Sequence, residues 1–354
     1  MRRSIGPLEG ALVNDTLSTG VPARTRRRKI LNRFRPDPFT LALLAVVTLA
    51  SFLPVDGTPA HYFAIATKLA VALLFFMHGA RLSREAVITG ATHWRLHSLV
   101  TAATFLLFPI LGLLIVKALP GLLGPGLVTG ILFLCCLPST VQSSIAFTSM
   151  AGGNVPAAIC SATFSNLAGI LITPLEIGLL LSTQGGGANL DAIQSIVVQL
   201  LLPFLAGQLS RPLLADWAAR HRRLLMFTDR GSILMVVYGA FSEAVVTGLW
   251  RDTPWVSLLT MIAVNIVLLV LVLAITAQAS RRLGFNRADR IAIVFCGSKK
   301  SLASGAPMAN VLFPPATVGL AVLPIMLFHQ IQLMACSWLA QRYAQELQPS
   351  TETA

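Results

Sequence analysis

Two polar interruptions of apolar segments contain the residues whose types and spacing could do chemistry. The first lies in 135–154, where Pro138 removes a backbone donor and hydroxyl and amide side chains follow at once. The second lies in 295–305, where Gly297, two adjacent lysines and a serine interrupt an apolar run. Interrupted backbone at membrane depth is tolerated only where it is buried in protein or lines a wet cavity, so both segments predict a binding site.

Polar residues of the segment after the first interruption are expected to line the same cavity, although Ser and Thr also form interhelical hydrogen bonds in membranes. Asn265 and the group His329, Gln330 and Gln332 have the same two interpretations. The predicted substrate- or ion-binding residues are Ser139, Thr140, Gln142, Ser143, Ser144, Ser161, Thr163, Asn166, Ser298, Lys299, Lys300 and Ser301.

Lys299 and Lys300 are the most informative of these residues. Within a membrane span each lysine costs roughly 2.5 to 3.5 kcal/mol on an insertion scale. We expect both to face a cavity, where they would bind an anion or take the place of a coupling cation. The alternative is that they lie near a membrane face and reach its surface, because only eleven positions separate Asp289 from Lys300.

Lys68 and Glu243 are a second pair of charged residues within apolar segments. At 1.5 Å per helical residue, both lie roughly 10 to 12 Å from the outer ends of their segments. Equal depth allows them to pair. The pair would either hold two helices together or form a gate or proton site in the outer half of the cavity.

The composition excludes most soluble protein classes. Of 354 residues, 55% are hydrophobic and 12% are charged, whereas an ordinary soluble protein has about 25% charged residues. Lipid must therefore surround most of the chain. The formal net charge of +13 does not indicate nucleic-acid binding, because the basic residues form short clusters between apolar runs and no stripe interleaved with aromatics.

The sequence has no pattern typical of an enzyme or a metalloprotein. The five cysteines lie inside apolar segments at positions 135, 136, 160, 296 and 336, without the spacing of a zinc site. HExxH, GxGxxG and P-loop patterns are absent from the sequence. We therefore predict no catalytic residue, no metal site and no cofactor.

A spanning helix needs about 20 mainly apolar residues. Ten segments qualify, near 38–54, 61–80, 96–118, 126–150, 154–181, 191–210, 230–249, 255–279, 289–311 and 315–342. If the amino terminus is cytoplasmic, 22 basic residues lie on the inner side and two on the outer side. Because Lys and Arg collect in cytoplasmic loops, this predicts an integral protein of the cell membrane with both termini in the cytoplasm.

The chain also repeats itself weakly at an offset of 156 residues, which places Asn154 on Asn310 and Ser143-Ser144 on Lys299-Lys300. Each half then has five spans, so the second half must be inverted in the membrane. Inverted repeats with broken helices near the midplane are typical of secondary transporters.

This organisation predicts five regions: a disordered basic cytosolic tail at 1–36, a first five-helix repeat at 37–182, an outer hinge at 183–190, a second and inverted five-helix repeat at 191–343, and a cytosolic tail at 344–354.

The runs 138–174 and 295–314 resemble the bile acid:sodium symporter family, and 296–303, reading Cys-Gly-Ser-Lys-Lys-Ser-Leu-Ala, is similar to its symporter-like subgroup. The resemblance covers the chain from about Pro38. It implies an all-α membrane protein of ten transmembrane helices in two inverted repeats. Spans 1, 2, 6 and 7 would form a panel, and the others a core in which the broken spans 4 and 9 cross.

The sequence departs from the pattern of this family at the positions that are expected to bind sodium. The acidic position of span 9 is Val294, the Asn expected after Ser144 is Ile145, and the span-5 hydroxyl positions are Ala158 and Ala162. A hard cation takes several oxygen ligands and usually a carboxylate. Coupling to two sodium ions is therefore not expected, and one hypothesis is that Lys299 or Lys300 stands where sodium would bind.

These observations favour a secondary active transporter of a small organic anion, working by alternating access within the lipid bilayer. The lysines would attract the anion and the hydroxyl and amide groups would donate hydrogen bonds, with Na⁺ or H⁺ as the coupling ion. Two alternatives stay open: a regulatory membrane protein on a transporter scaffold that transports nothing, and an intramembrane enzyme.

Overall fold

The computed structural model describes residues 38–81, 93–182, 197–248, 251 and 253–346, and every regular element in these ranges is a helix. The predicted tail 1–36, the predicted hinge 183–190 and most of the predicted tail 344–354 lie outside the described residues.

The α-helices, in chain order, are α1 (Pro38–Phe52), α2 (Gly57–Arg81), α3 (Trp94–Ala102), α4 (Phe108–Ala118), α5 (Pro125–Cys136), α6 (Gln142–Met150), α7 (Val155–Ser182), α8 (Leu202–Leu209), α9 (Arg211–Arg220), α10 (Arg222–Val246), α11 (Trp255–Arg282), α12 (Arg287–Gly297), α13 (Leu302–Leu312) and α14 (Pro315–Gln345). Two π-helical turns, Ala103–Leu107 and Val197–Leu201, lead into α4 and α8.

Within the described ranges, six helical stretches are long and apolar enough, by length and composition, to cross a membrane: Gly57–Arg81, Trp94–Ala118, Val155–Leu180, Arg223–Val246, Trp255–Arg282 and Pro315–Gln345. Leu41–Phe52, Pro125–Cys136 and Val198–Leu209 are shorter apolar helices. The predicted segment 230–249 begins too late, because α10 starts at Arg222. Its first turns are polar, and Asp229 in them is held by an ion pair with Arg81 at 2.7 Å.

The two predicted interruptions are breaks between helices. Helix α5 ends at Cys136 because Leu137 is extended, as expected for a residue that precedes proline. The chain becomes helical again at Gln142. Helix α12 ends at Gly297, and Ser301 begins α13 by accepting a hydrogen bond from the Ser304 backbone N–H at 3.1 Å.

The π-helical turns also have an identifiable cause. Each lies just before a proline at the second position of the following helix, Pro109 in α4 and Pro203 in α8. Proline has no N–H to donate to the preceding turn, so the backbone widens there. Such turns free carbonyl groups, and one of them, that of Thr104, is used in the site below.

Helices α2 and α8 pack with their backbones in close contact. A Cβ atom at Gly79 would collide with the Phe204 carbonyl oxygen, and one at Gly207 would collide with the Phe76 carbonyl oxygen. Small residues permit such close approach of helices in membranes. The ion pair between Arg81 and Asp229 then ties α2 to α10.

Helices α5, α10 and α14 also pack with their backbones close together. Gly130 of α5 lies against the backbone of α14, where an added Cβ would lie 2.7 Å from the Leu320 carbonyl oxygen. Gly319 of α14 lies similarly close to Ala244 of α10. Buried apolar side chains from these helices form one large cluster that includes Phe133, Phe241 and Phe328.

Large apolar side chains cover much of the outer surface of the helices. Leu69, Leu179 and Trp255 have 67%, 66% and 81% of their surface exposed. A soluble monomer rarely exposes apolar patches on this scale. The surface therefore fits a lipid environment, as the composition predicts.

Candidate functional site

The two breaks lie against each other and are joined by direct hydrogen bonds. The Ser301 backbone N–H donates to the Pro138 carbonyl at 2.9 Å, and Ser139 Oγ donates to the Cys296 carbonyl at 2.5 Å. Ser144 Oγ donates to the Phe295 carbonyl at 3.2 Å. Each break thus satisfies backbone groups that the other leaves without intrahelical partners.

Lys300 lies at the centre of this contact and is fully buried. Its Nζ donates to the carbonyl oxygens of Thr104, Cys135 and Leu137 at 2.7, 2.6 and 2.7 Å. An ammonium group has three donors and no acceptor, so all three are used. The Phe108 ring centroid lies 4.2 Å from Nζ on another side. Lys300 therefore neutralises the carbonyl-rich end of α5, which is also the negative end of its dipole.

Lys299 has a different environment, although it is adjacent in sequence. It is also fully buried, and its Nζ donates to the Ser143 carbonyl at 2.8 Å. The Phe147 and Phe295 ring centroids lie 4.0 and 5.2 Å from Nζ, which allows cation–π attraction. The alternative that the two lysines reach a membrane surface is wrong, since neither exposes any of its side chain.

Gln332 of α14 holds the backbone of the second break. Its Oε1 accepts from the Lys300 N–H and its Nε2 donates to the Lys300 carbonyl, both at 2.9 Å. His329 Nδ1 lies 2.9 Å from the same Nε2. Asn265 donates to the Pro324 carbonyl at 3.1 Å. For Gln332 and Asn265 the structure therefore supports the interpretation as interhelical hydrogen bonds.

Most of the other predicted site residues gather around the first break. Thr140 Oγ1 lies 2.7 Å from Ser143 Oγ and 3.0 Å from Ser144 Oγ. Asn166 Nδ2 donates to the Ser139 carbonyl at 2.7 Å, and its Oδ1 accepts from Ser304 Oγ at 2.7 Å. Asn166 thus connects α7 with both breaks.

Four predicted residues make other contacts. Ser298 lies in the second break, but its Oγ donates to the Val294 carbonyl of α12 at 2.6 Å. Ser161 of α7 lies 2.7 Å from Nδ1 of His97, a residue that is not among the predicted site residues. Gln142 is exposed and Thr163 is half-buried. These four have no hydrogen bond to the opposite break within the described residues.

Lys68 and Glu243 form no ion pair with each other in the described part of the chain. Lys68 is exposed and Glu243 is half-buried. Their pairing stays a prediction.

The positions at which the expected sodium ligands are missing are apolar and buried. Val294 is 2% exposed, and neither Ala158 nor Ala162 exposes any surface. Their side chains offer no oxygen to a cation. Within the described residues, no three His, Cys, Asp or Glu side chains gather in a way that could hold a metal ion.

Glu176 is absent from the predicted site residues. The expected acidic position of span 9 is Val294, but α7 carries a carboxyl group that acts on Lys300. The Glu176 carboxyl interacts electrostatically with Lys300 and with the Cys136 thiol. The signal was available, since a carboxylate in an apolar span is costly and marks a functional site by default.

Known proteins are similar to this sequence over most of its length. Residues 37–345 match the SBF-like CPA transporter family. The chain is 58% identical to the uncharacterized protein PA2026 of Pseudomonas aeruginosa over 313 residues, which are 88% of this chain and 94% of that protein. It is 55% identical over 321 residues to YfeH of Escherichia coli, named as a candidate symporter, covering 90% of this chain and 97% of YfeH.

A more distant relative is the Sodium/bile acid cotransporter 7 of Danio rerio, 28% identical over 317 residues, which are 88% of this chain and 94% of that protein. These relatives point to a transporter and not to an enzyme, which removes the alternative of an intramembrane enzyme. The predicted kinship with bile acid:sodium symporters is confirmed, and the protein belongs to the SBF-like CPA transporter family.

Proposed function

We propose that the protein is a secondary active transporter that carries a small organic anion across the cell membrane by alternating access. The observation that carries this proposal is the pair of facing helix breaks with two buried ammonium groups between them. Buried cations and broken helices in a membrane mark substrate and ion pathways. Family membership supports transport as such.

The architecture that we propose has ten spans in two inverted repeats, 37–182 and 191–343, with both termini in the cytoplasm. Helices α1, α2, α8 and α10 would form the panel, and α3–α7 with α11–α14 the core. The contact between Asn154 Nδ2 and Asp289 Oδ1 at 2.7 Å supports this, because it joins the turn after the first broken span to the start of the second.

In this proposal the two lysines have different roles. Lys300 acts as a built-in cation, because its three carbonyl partners are the kind of oxygen ligands that a sodium ion would need. Lys299 attracts the substrate, since one hydrogen bond to a described residue leaves its ammonium group with unused donor capacity. Thr140 and Ser143 would offer hydroxyl hydrogen bonds to the same anion.

The test is anion counterflow in liposomes that contain the purified full chain. Organic anions would first be selected by their ability to raise the unfolding temperature, since a ligand that binds only the native state stabilises it. We expect saturable exchange that does not require sodium. Lys299→Ala should lower uptake at least about tenfold, the effect of 1.4 kcal/mol of lost binding.

Lys117→Ala is the matched control, because Lys117 is an exposed lysine at the end of α4 and should leave uptake unchanged. Absence of exchange for every anion that stabilises the protein would overturn the proposal and favour a regulatory protein on a transporter scaffold.

A further inference from the structure

Glu176 lies in α7, six residues before the last helical residue, Ser182, which places it about 9 Å from the outer end of the helix at 1.5 Å per residue. The side chain is half-buried, and its Oε2 is buried without a hydrogen-bond partner in the described structure. A carboxylate with one oxygen buried and unpartnered at this depth is expensive. The transport site proposed above gives this carboxylate no role, so its presence indicates a further function.

Thr173, one helical turn before Glu176, donates to the Cys136 carbonyl at 2.7 Å, which places this face of α7 against the end of α5. Three ionisable groups on neighbouring elements interact electrostatically with Glu176. Lys300 comes from the second break, and the thiols of Cys135 and Cys136 come from the end of α5. Lys300 is the only cation in this set of three. Because its ammonium group is fixed by three carbonyls, its position does not adjust to the charge of the carboxyl group.

The other charged or titratable groups on the helices packed against α7 lie toward the opposite end of that helix. His97 of α3 contacts Ser161, and Asp289 of α12 contacts Asn154. These contacts are 15 and 22 residues from Glu176, or roughly 22 and 33 Å along the helix. Arg95 of α3 and Arg287, Arg290 and Cys296 of α12 are the remaining such groups. Lys300 therefore dominates the electrostatic environment of Glu176.

A metal cation does not suit this location. The Cys135 and Leu137 carbonyls are occupied by Lys300, and the Cys136 carbonyl accepts from Thr173 Oγ1 at 2.7 Å. A hard cation would need several free oxygens and would be repelled by the ammonium group. A proton needs only one lone pair, and the unpartnered Oε2 atom of Glu176 provides it.

We propose that Glu176 is a proton-binding site of this transporter, and that its protonation strengthens the binding of an organic anion at Lys299; this rests on the function proposed above. Ionised Glu176 offsets one of the two buried ammonium charges. When a proton from water adds to Oε2, that offset is removed and the positive potential at the breaks rises. Proton and anion then bind cooperatively, and release of the proton weakens the hold on the anion.

The first arm of the test needs no substrate. Infrared difference spectra between acidic and alkaline buffer would be recorded for the lipid-reconstituted full chain, and we expect a protonated-carboxyl band that titrates. Glu176→Gln should remove this band, whereas Asp216→Asn, which alters an exposed carboxylate on α9, should leave it. A band that is unchanged in Glu176→Gln would overturn the proton site.

The second arm measures how benzoate, succinate and taurocholate bind at several pH values. With one proton linked to one anion, affinity in the wild type should rise by up to about tenfold per pH unit on acidification. Glu176→Gln mimics the protonated acid. It should therefore bind at alkaline pH as tightly as the wild type does at acidic pH, an effect that a merely damaged fold would not produce.

The two proposals fail in different ways. If an anion binds and Glu176→Gln shows the same pH dependence as the wild type, the coupling role of Glu176 is wrong while transport stands. If no probe anion binds or exchanges but the carboxyl band still disappears in Glu176→Gln, the anion function is wrong while the proton site stands.

Discussion

At the scale of single residues, two neighbouring lysines show how position determines role. Lys300 uses all three donors on carbonyls from two helix regions, whereas Lys299 uses one and lies against two aromatic rings. The sequence could predict that both matter, because two lysines in an apolar span are costly. It could not assign the partners, since Thr104 is nearly 200 residues from Lys300 and its carbonyl is freed by a π-helical turn.

This difference predicts opposite consequences for the same substitution. Lys300→Met leaves three buried carbonyls without donors and should destabilise the protein by about 2 to 5 kcal/mol, at roughly 0.6 to 1.7 kcal/mol for each interhelical hydrogen bond. Lys299→Met loses one such bond and should cost less stability but more anion affinity. Thermal unfolding, with and without a stabilising anion, measures both. A larger loss of stability for Lys299→Met would contradict the assignment.

At the scale of helices, local signals predicted where elements break but not how they pack. Pro138 and Gly297 mark the two breaks because one lacks a donor and the other ends a helix. Of the twelve predicted site residues, nine lie at the breaks or bond to them, among them Asn166 and Ser301, and their role in binding stays a prediction. Close packing of α2 on α8 has no such local signal, because glycines occur throughout the chain.

That packing makes a prediction about Gly207. A methyl group there would collide with the Phe76 carbonyl, and backbone atoms cannot move aside as a flexible side chain can. Gly207→Ala should therefore destabilise the protein by about 1 to 3 kcal/mol, the usual range for overpacking. Gly178→Ala is the matched control, because a Cβ on that helical glycine meets nothing within 4 Å. Equal unfolding temperatures for both variants would argue against the close α2–α8 contact.

At the scale of the whole molecule, hydrophobicity alone predicted the class of fold. Composition and apolar segments indicate a helical membrane protein, and the described residues are helical with an apolar exterior. The charge balance of the site could not be predicted from motifs. Glu176 lies outside both interrupted segments, so no motif indicates that its carboxyl group interacts electrostatically with Lys300.

The hydrogen bonds of Lys300 predict how the stability of the protein responds to sodium. Among the described residues, the Lys300 ammonium group already occupies the Thr104, Cys135 and Leu137 carbonyls, and Val294, Ala158 and Ala162 offer no oxygen. We therefore predict that sodium does not bind at the breaks. Unfolding temperatures in NaCl, KCl and choline chloride at equal ionic strength should therefore coincide. A sodium site filled to ten times its Kd would instead add about 1.4 kcal/mol, from RT ln(1 + [L]/Kd). A rise specific to sodium would show that a cation site exists in spite of Lys300, and the role of this lysine as a built-in cation would be wrong.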